Sequence, residues 1–419
     1  MVSRRGFIKS GGLAMLGVGL LGGIPAFVAE AAARQKRTAL YKKRKTLVCI
    51  FQRGAMDGLM AVTPFTDPYL KAARPNLFMS AAKSDESPLF DLDGRFGLHP
   101  AMKSFEPLFR EKRIGIVHGI GSPNTSRSHF DAQDYMESGT PFNKGTASGW
   151  LNRAVGLLGH DATPFTAVSL TSAMPRSFYG DNPTVSISNL SDFSIKHGSM
   201  ENTNFTAKSF EDLYDQTAPG LLKETGKESF EAVKMLQNTN VKNYKPANNA
   251  VYPKSALGDS LKQIAQLIKM DVGLEVAFTE SNGWDTHINQ GTATGIFARN
   301  VADLSNSITA FWTDLEAFQD DVTVMTMTEF GRTVHQNGTG GTDHGRASCN
   351  FILGNKVNGG LIHGSMEPLA KENLEDGRDV KVTTDFRSVF SEVANKHLGI
   401  VNDKILFPDW RGNTIGIMK

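Results

Sequence analysis

The stretch Val322–Gly354, VTVMTMTEFGRTVHQNGTGGTDHGRASCNFILG, decides the reading of this chain. Val322, Val324, Met325 and Met327 have the branched, apolar character of a buried strand, and the run stops abruptly at Thr328-Glu329-Phe330-Gly331-Arg332. A carboxylate and a guanidinium are thus delivered to the C-terminal end of a strand, which in open α/β sheets is where ligands bind. The glycine-rich loop Asn337–Gly341 follows, and glycine tolerates the positive φ of a sharp bend. It leads into Thr342-Asp343-His344-Gly345, where an adjacent Asp and His can aim an oxygen and a nitrogen at one divalent cation such as zinc.

Working outward, the same pattern of strand followed by polar loop recurs. KTLVCIFQ, Lys45–Gln52, runs into Arg53-Gly54-Ala55-Met56-Asp57-Gly58, although Asp-Gly after a strand is also ordinary turn chemistry. RIGIVHG, Arg113–Gly119, reads as a second buried strand and is followed by Ser122 to His129. That loop carries Thr125, Ser126, Arg127, Ser128 and His129 and opens a helix whose first turn contains Asp131. Capping accounts for one hydroxyl; the remaining hydroxyls, the arginine and the free N–H groups of a helix start suit a phosphate or sulfate ester. GLEVAFTE, within 272–280, ends in Gly283-Trp284-Asp285-Thr286-His287, where Asp285 and His287 lie two apart in an extended loop and point to one side. Between these strands, apolar spacing predicts helices over Ala256–Lys269 and Ile296–Phe318. Four loops, carrying Asp57, Ser122–His129, Asp285 with His287, and Glu329–His344, are expected to meet around a metal or metal pair. His99, His118, His160, His197, His335 and His397 are read as structural or solvated.

The outer limits agree with an α/β enzyme. The 419 residues balance 45 Lys+Arg against 43 Asp+Glu, a formal charge of +2, and much of the excess is the cluster Arg34, Lys36, Arg37, Lys42, Lys43, Arg44 and Lys45. Without it the body is mildly acidic, so nothing points to nucleic acid. Cys49 and Cys349 sit in apolar runs and read as core residues rather than a disulfide. Residues 1–33 read as a signal peptide: Ser3-Arg4-Arg5-Gly6-Phe7-Ile8-Lys9 resembles the twin-arginine motif, followed by an apolar run and small residues suited to signal peptidase. Six glycines and Pro25 between Gly11 and Val28 make a poor membrane span. The expected organisation is a leader at 1–33, a basic linker at 34–45 and one domain at 46–419. An insertion or cap is expected at 182–252, with a helix near Ser229–Gln237. The twin-arginine export machinery is the implied partner, the periplasm or the exterior the implied location, and no stable membrane span is expected after cleavage.

FQRGAMDGL, SRSHFDAQDYMESGTP, GWDTHINQG, TEFGRTVHQNGTGGTDHG, FILGNKVNGGLIHG and VTTDFRSVFSEV resemble the successive motifs of an exported family catalogued as domain of unknown function 1501. That family is grouped with the alkaline-phosphatase and sulfatase superfamily. The resemblance implies an α/β fold, a three-layer α/β/α sandwich with a mostly parallel central sheet, usually with two divalent metals and an esterase activity on phosphate or sulfate. Asp57 is similar to the first metal-ligating Asp of that superfamily. Asp285 with His287 resembles its Asp and His pair, commonly spaced three apart, and Asp343 with His344 its later His-containing loop. Glu329-Phe330 stands where Asp-His is usual. Thr125, Ser126 and Ser128 match the position of the nucleophile, and the lack of a Cys there argues against a formylglycine sulfatase.

The implied chemistry is hydrolysis of an anionic ester, small or polymeric, through a metal-activated hydroxyl or water. Asp57, His129, Asp285, His287, Asp343 and His344 would hold zinc, manganese or calcium. Glu329 would act as ligand or base, and Arg127 or Arg332 as anion clamp. The alternative is a partly degenerate relative serving as a periplasmic binding or scaffold protein. A Ser128, His344 and Asp285 triad lacks the Gly-x-Ser-x-Gly turn.

Overall fold

Thr46–Gln52 carries no charge and is buried along its whole length; it forms β1, the strand on which the sheet is centred. The computed structural model describes residues 44–160, 162, 165–190 and 244–419. The expected leader, nearly all of the basic linker, most of the 182–252 insertion and the helix near Ser229–Gln237 lie outside the described residues. After β1 come β2 (Ile114–Gly121), β3 (Ala167–Ser169), β4 (Val185–Ser186), β5 (Val276–Ser281) and β6 (Val322–Met327). Then follow β7 (Arg332–Gln336), β8 (Thr342–His344), β9 (Ser348–Leu353), β10 (Ile362–His363) and β11 (Thr384–Asp385). Among the described residues the large sheet has the order β10-β2-β9-β6-β1-β5-β3-β4, with β11 paired to β2.

β1 runs parallel to both neighbours, with Gln52 level with Ser281 and Phe51 level with Met327. β9 is antiparallel to β2 and β6, so those two strands share the direction of β1. Alternation along β1 sends Val48 and Ile50 into one apolar cluster and Leu47, Cys49 and Phe51 into another on the opposite face. Helices α1 (His129–Ser138), α2 (Trp150–Gly156), α3 (Ala256–Lys269), α4 (Ile296–Leu315) and α5 (Phe386–Val393) follow in chain order. The first cluster is covered by Leu257, Leu261 and Ile264 of α3 with Val301, Leu304 and Ile308 of α4, the second by Trp150 and Leu151 of α2 with Val389 and Phe390 of α5. Helices thus lie on both faces of a mostly parallel sheet, the expected three layers. Both cysteines are buried and free, and no described helix is long and apolar enough to cross a membrane.

Local chemistry sets the element ends. α3 has the bounds that its apolar spacing predicts, and its start is capped by Ser255 Oγ accepting from the Gly258 amide. β5 begins at Val276 rather than Val272, since Gly273 turns with φ of 90° before it. α4 stops at Leu315, where Glu316 takes φ of 49° and a 3-10 turn follows.

Because β1, β2, β5 and β6 point the same way, their C-terminal loops gather at one edge of the sheet. The β7–β8 hairpin pairs Arg332 with His344 and folds over that edge. Asp57 is the exception among the expected ligands. Its carboxylate is buried and ion-paired with Arg74, at 2.8 and 3.1 Å, and it also accepts from Gln290 Nε2 at 2.7 Å. Arg74 donates in addition to the carbonyls of Val334 and Thr333. The Asp57 carboxylate, expected as a metal ligand, therefore fastens the β1 loop to the β7 strand as a buried ion pair and is not among the residues that the structure brings together at the centre. Arg74→Met strands that carboxylate without its charge partner, and chemical denaturation of the variant is expected to show a loss of about 3–5 kcal/mol; an unchanged midpoint would contradict the bracing role.

Candidate metal centre

Four side chains from three loops converge at this edge. His129 is the first residue of α1, directly after Ser128, which has extended backbone and no side-chain cap bond. Asp285 and His287 follow β5, and His344 closes the β7–β8 hairpin. Their tips nearly touch: His344 Nε2 lies 3.0 Å from His129 Nε2 and 2.9 Å from His287 Nε2. Asp285 Oδ1 stands 3.0 Å from His287 Nε2, 3.1 Å from His344 Nε2 and 3.4 Å from His129 Nε2. His129, Asp285 and His344 form the group of ligand-type atoms, among the described residues, close enough together to hold a metal ion.

The other imidazole nitrogens determine what these tips are. His344 Nδ1 donates to the Arg127 carbonyl at 2.8 Å, an acceptor only. His129 Nδ1 donates to Glu329 Oε1 at 2.8 Å and His287 Nδ1 to Asp343 Oδ1 at 2.9 Å. With the proton on Nδ1, each neutral imidazole presents a lone pair at Nε2. Three lone pairs and a carboxylate oxygen facing one another repel unless a cation lies between them. A tetrahedral zinc with bonds of about 2.0–2.1 Å has ligand-to-ligand edges of about 3.3 Å, close to the separations among His129, Asp285 and His344, so these three groups fit such an ion; His287 meets Asp285 and His344 but stands outside that group. The acceptors behind the imidazoles are the outer partners that metal-bound histidines characteristically have.

The surroundings explain how the groups stay aimed. Gly54 has φ of 111°, and a Cβ there would lie 2.5 Å from the Asp285 amide nitrogen, so only glycine lets the β1 and β5 loops come this close. Gly341 approaches His287 in the same way, a Cβ meeting its carbonyl carbon at 2.3 Å. Phe330 is buried, with ring centroids 5.0 Å from both His129 and His344, and forms an apolar floor. The opposite side is open, with side-chain exposures of 24% for His129, 25% for His344, 37% for His287 and 46% for Asp285.

Charge follows contact. Partial burial works to raise the Asp285 carboxyl, but the hydrogen bond and charge of Arg332 hold it down at about 2, helped by His287 and His129. Burial likewise opposes ionisation of Glu329, and the bonds from His129, Gln133 and the Gly54 amide outweigh it and keep the carboxyl low. Asp343 is lowered by bonds from Asn337 and His287. His129 is raised by its bond to Glu329, whereas burial lowers His344.

Several expected roles change. Glu329 is fully buried and accepts from His129, Gln133, Gly54 and Thr328, so it orients a ligand and has no access to serve as a general base. Asp343 stands behind His287 rather than beside His344's Nε2. The Arg127 guanidinium bonds to Asp376 and Asp379 through Nε and Nη2, and the residue meets the centre through its carbonyl. Arg332, expected as an anion clamp, is buried and gives its donors to four carbonyls and Asp285. Thr125 and Ser128 are exposed and Ser126 partly so; Ser126 Oγ accepts from the Ser128 amide at 3.2 Å. Gln133 and Arg378, near the centre, went unread: a Gln inside a helix and an Arg in the turn EDGRD carry no pattern that separates them from surface polarity. His99, His118 and His397, read as structural, are buried and bond to backbone carbonyls.

A family model described as "Protein of unknown function (DUF1501)" matches residues 116–406. No curated protein matches. Similar solved structures include the C-terminal periplasmic domain of EcEptC from Escherichia coli in a complex with Zn, at 9% identity, covering 75% of this chain and 73% of that one with a TM-score of 0.34. The PsFucS1 sulfatase from Pseudoalteromonas sp. is 10% identical over 91% of this chain and 73% of its own, with a TM-score of 0.37. A protein in the alkaline phosphatase superfamily from Vibrio parahaemolyticus is 12% identical over 78% and 65%, with a TM-score of 0.35. At such scores no property of those proteins passes to this chain.

Elemental analysis of the purified protein is expected to find about one transition-metal equivalent per chain, lost in His129→Ala and His344→Ala. Glu329→Gln and Asp343→Asn, which change only the acceptors behind the histidines, should weaken binding in chelator competition by roughly 10–100-fold; full affinity in both would contradict the outer roles.

Proposed function

The chain belongs to the family described as "Protein of unknown function (DUF1501)", and from that premise and its side chains we propose a metal-dependent hydrolase of phosphate or sulfate esters. The convergence of three imidazole lone pairs and one carboxylate oxygen at a solvent-open strand edge carries the reading. His129, Asp285 and His344 would hold the ion. Two nitrogen donors in three favour zinc or a similar transition metal over calcium, which prefers oxygen ligands. A bound divalent ion supplies Lewis acidity, lowering the pKa of a hydroxyl or water and offsetting charge on the ester oxygens.

The protein's own groups do the rest. Glu329, Asp343 and the Arg127 carbonyl fix the imidazole rings, and Phe330 closes the underside against water. Ser128 is exposed, precedes His129 directly and leaves its side chain uncommitted to the helix cap, so its hydroxyl is the favoured nucleophile among Thr125, Ser126 and Ser128. The expected leader at residues 1–33 supports a reaction outside the cytoplasm. The scaffold reading would follow if His287 joined His129, Asp285 and His344 on the ion, since four protein ligands complete a tetrahedron with no open position, as in structural zinc sites.

Zinc-loaded protein assayed on p-nitrophenyl phosphate, bis(p-nitrophenyl) phosphate and p-nitrophenyl sulfate separates the two. Hydrolysis is expected that a chelator abolishes, zinc restores and His344→Ala lowers by at least about a hundredfold in kcat/KM. A Ser128→Ala variant at full rate assigns the nucleophile to water. Bound metal with no turnover on any substrate rejects the hydrolase in favour of the scaffold.

A further inference from the structure

The charges around the centre nearly cancel. Asp285, Glu329 and Asp343 are the carboxylates that contact the imidazoles, and the buried Arg332 offsets one of them. A divalent ion would offset the other two. In the next ring, Arg127 and Arg378 face Asp376 and Asp379, again balanced. A centre so matched has little positive potential left over for a doubly charged group.

Within that ring the two arginines differ. Arg127 lies across both carboxylates, with Nε on Asp379 and Nη2 shared between Asp379 and Asp376; its Nη1 has no protein partner among the described residues, but its side chain is only 26% exposed and none of its donors reaches the backbone of a ligand-bearing residue. Arg378 uses only Nε toward Asp379, at 3.1 Å, while its Nη2 donates to the His344 carbonyl at 2.6 Å. Its Nη1 has no protein partner among the described residues, and its side chain is 45% exposed. The tight turn that presents it has positive φ at Asp376 and Gly377, and the Arg378 carbonyl accepts from the Val334 amide of β7. Arg346 holds the same turn through Glu375 at 2.7 Å. A rigid turn thus presents one half-free guanidinium edge at the backbone of a ligand-bearing residue, where its charge also reaches Asp343.

We propose that Arg378 is the anion-holding, specificity-determining residue of this centre, and that the centre takes a singly charged ester, a sulfate monoester or a phosphodiester, in preference to a dianionic phosphate monoester. The planar guanidinium binds a non-bridging oxygen through Nη1 while Nη2 stays on the His344 carbonyl, which fixes the oxyanion relative to the imidazole of the same residue. The proposal rests on the hydrolase reading for the ligand class but is tested by binding.

Full-length, zinc-loaded protein is titrated calorimetrically at pH 8 with phenyl sulfate, diphenyl phosphate and phenyl phosphate. The two monoanions are expected to bind at least about tenfold more tightly than phenyl phosphate. Arg378→Gln keeps a donor for the His344 carbonyl without the charge, and should weaken the monoanions roughly tenfold to a hundredfold at unchanged zinc content, with Arg378→Lys recovering part of the loss. Tightest binding by phenyl phosphate, wild-type affinity in Arg378→Gln, or no binding of any of the three overturns the proposal. Loss of zinc in both Arg378 variants also overturns it, by making the residue structural. Binding in the expected order without turnover leaves it standing and rejects the hydrolase reading alone.

Discussion

The Arg332 guanidinium, buried beneath the loops, donates to the carbonyls of Gly54, Ala55, Trp284 and Thr342 and, at 2.6 Å, to Asp285 Oδ1. Removing a guanidinium from water is costly unless its donors find acceptors. Here the acceptors come from the loop after β1, the loop after β5 and the hairpin strand β8, so one cation sets the spacing of three segments. The fourth segment, α1, joins through Glu329, which accepts from both Gly54 and His129. Asp285 is thereby held with one oxygen shared between the guanidinium and the imidazoles, and a bond that looks structural aims the carboxylate.

A distinction follows between carboxylates that reach the centre and those that stand behind it. Asp285 is half exposed and faces three Nε2 atoms. Glu329 and Asp343 meet the imidazoles at Nδ1, one buried beside the Phe330 floor and one at the rim. Asp57 is withdrawn altogether into its pair with Arg74. A two-metal centre needs bridging or duplicated oxygen ligands, and the carboxylates that would have supplied them are committed elsewhere. The group close enough to share one ion is His129, Asp285 and His344.

Much of this is legible in the amino-acid sequence. The buried runs that became β1, β2, β5 and β6 each ended in polar residues, and in a parallel sheet such ends must share an edge, so the meeting of His129, Asp285, His287 and His344 followed from strand direction alone. Their ranking did not follow. Whether Asp57 ligates or pairs depends on Arg74 arriving from the other side of the loop and on Gln290 arriving from beyond β5, and no periodicity encodes such meetings. Arg332 and Arg127 look alike in sequence as cations beside ligands; burial turns one into a brace and two aspartates claim the other. Arg378, in a turn that reads as ordinary surface, is the more exposed of the ring's two arginines and bonds to the His344 carbonyl, which only the placement of its neighbours reveals.

The braces bear on how a cation and the fold would depend on each other. In small zinc domains the ligands have no fixed position until the metal arrives, and binding energy is consumed in folding. Here the strands that carry the ligands are part of a sheet with apolar clusters on both faces, and Arg332 and Arg74 hold the loops through bonds that involve no ion. The remaining cost of the ion-free state is local: three lone pairs and a carboxylate pressed together over an apolar ring, which protons can relieve in part. A cation arriving at such a site would spend little on ordering the chain, and most of its binding energy would appear as affinity. The glycines at 54 and 341 belong to the same economy, since they let two loops close on each other with no side chain between them and leave the imidazoles as the groups that fill the gap.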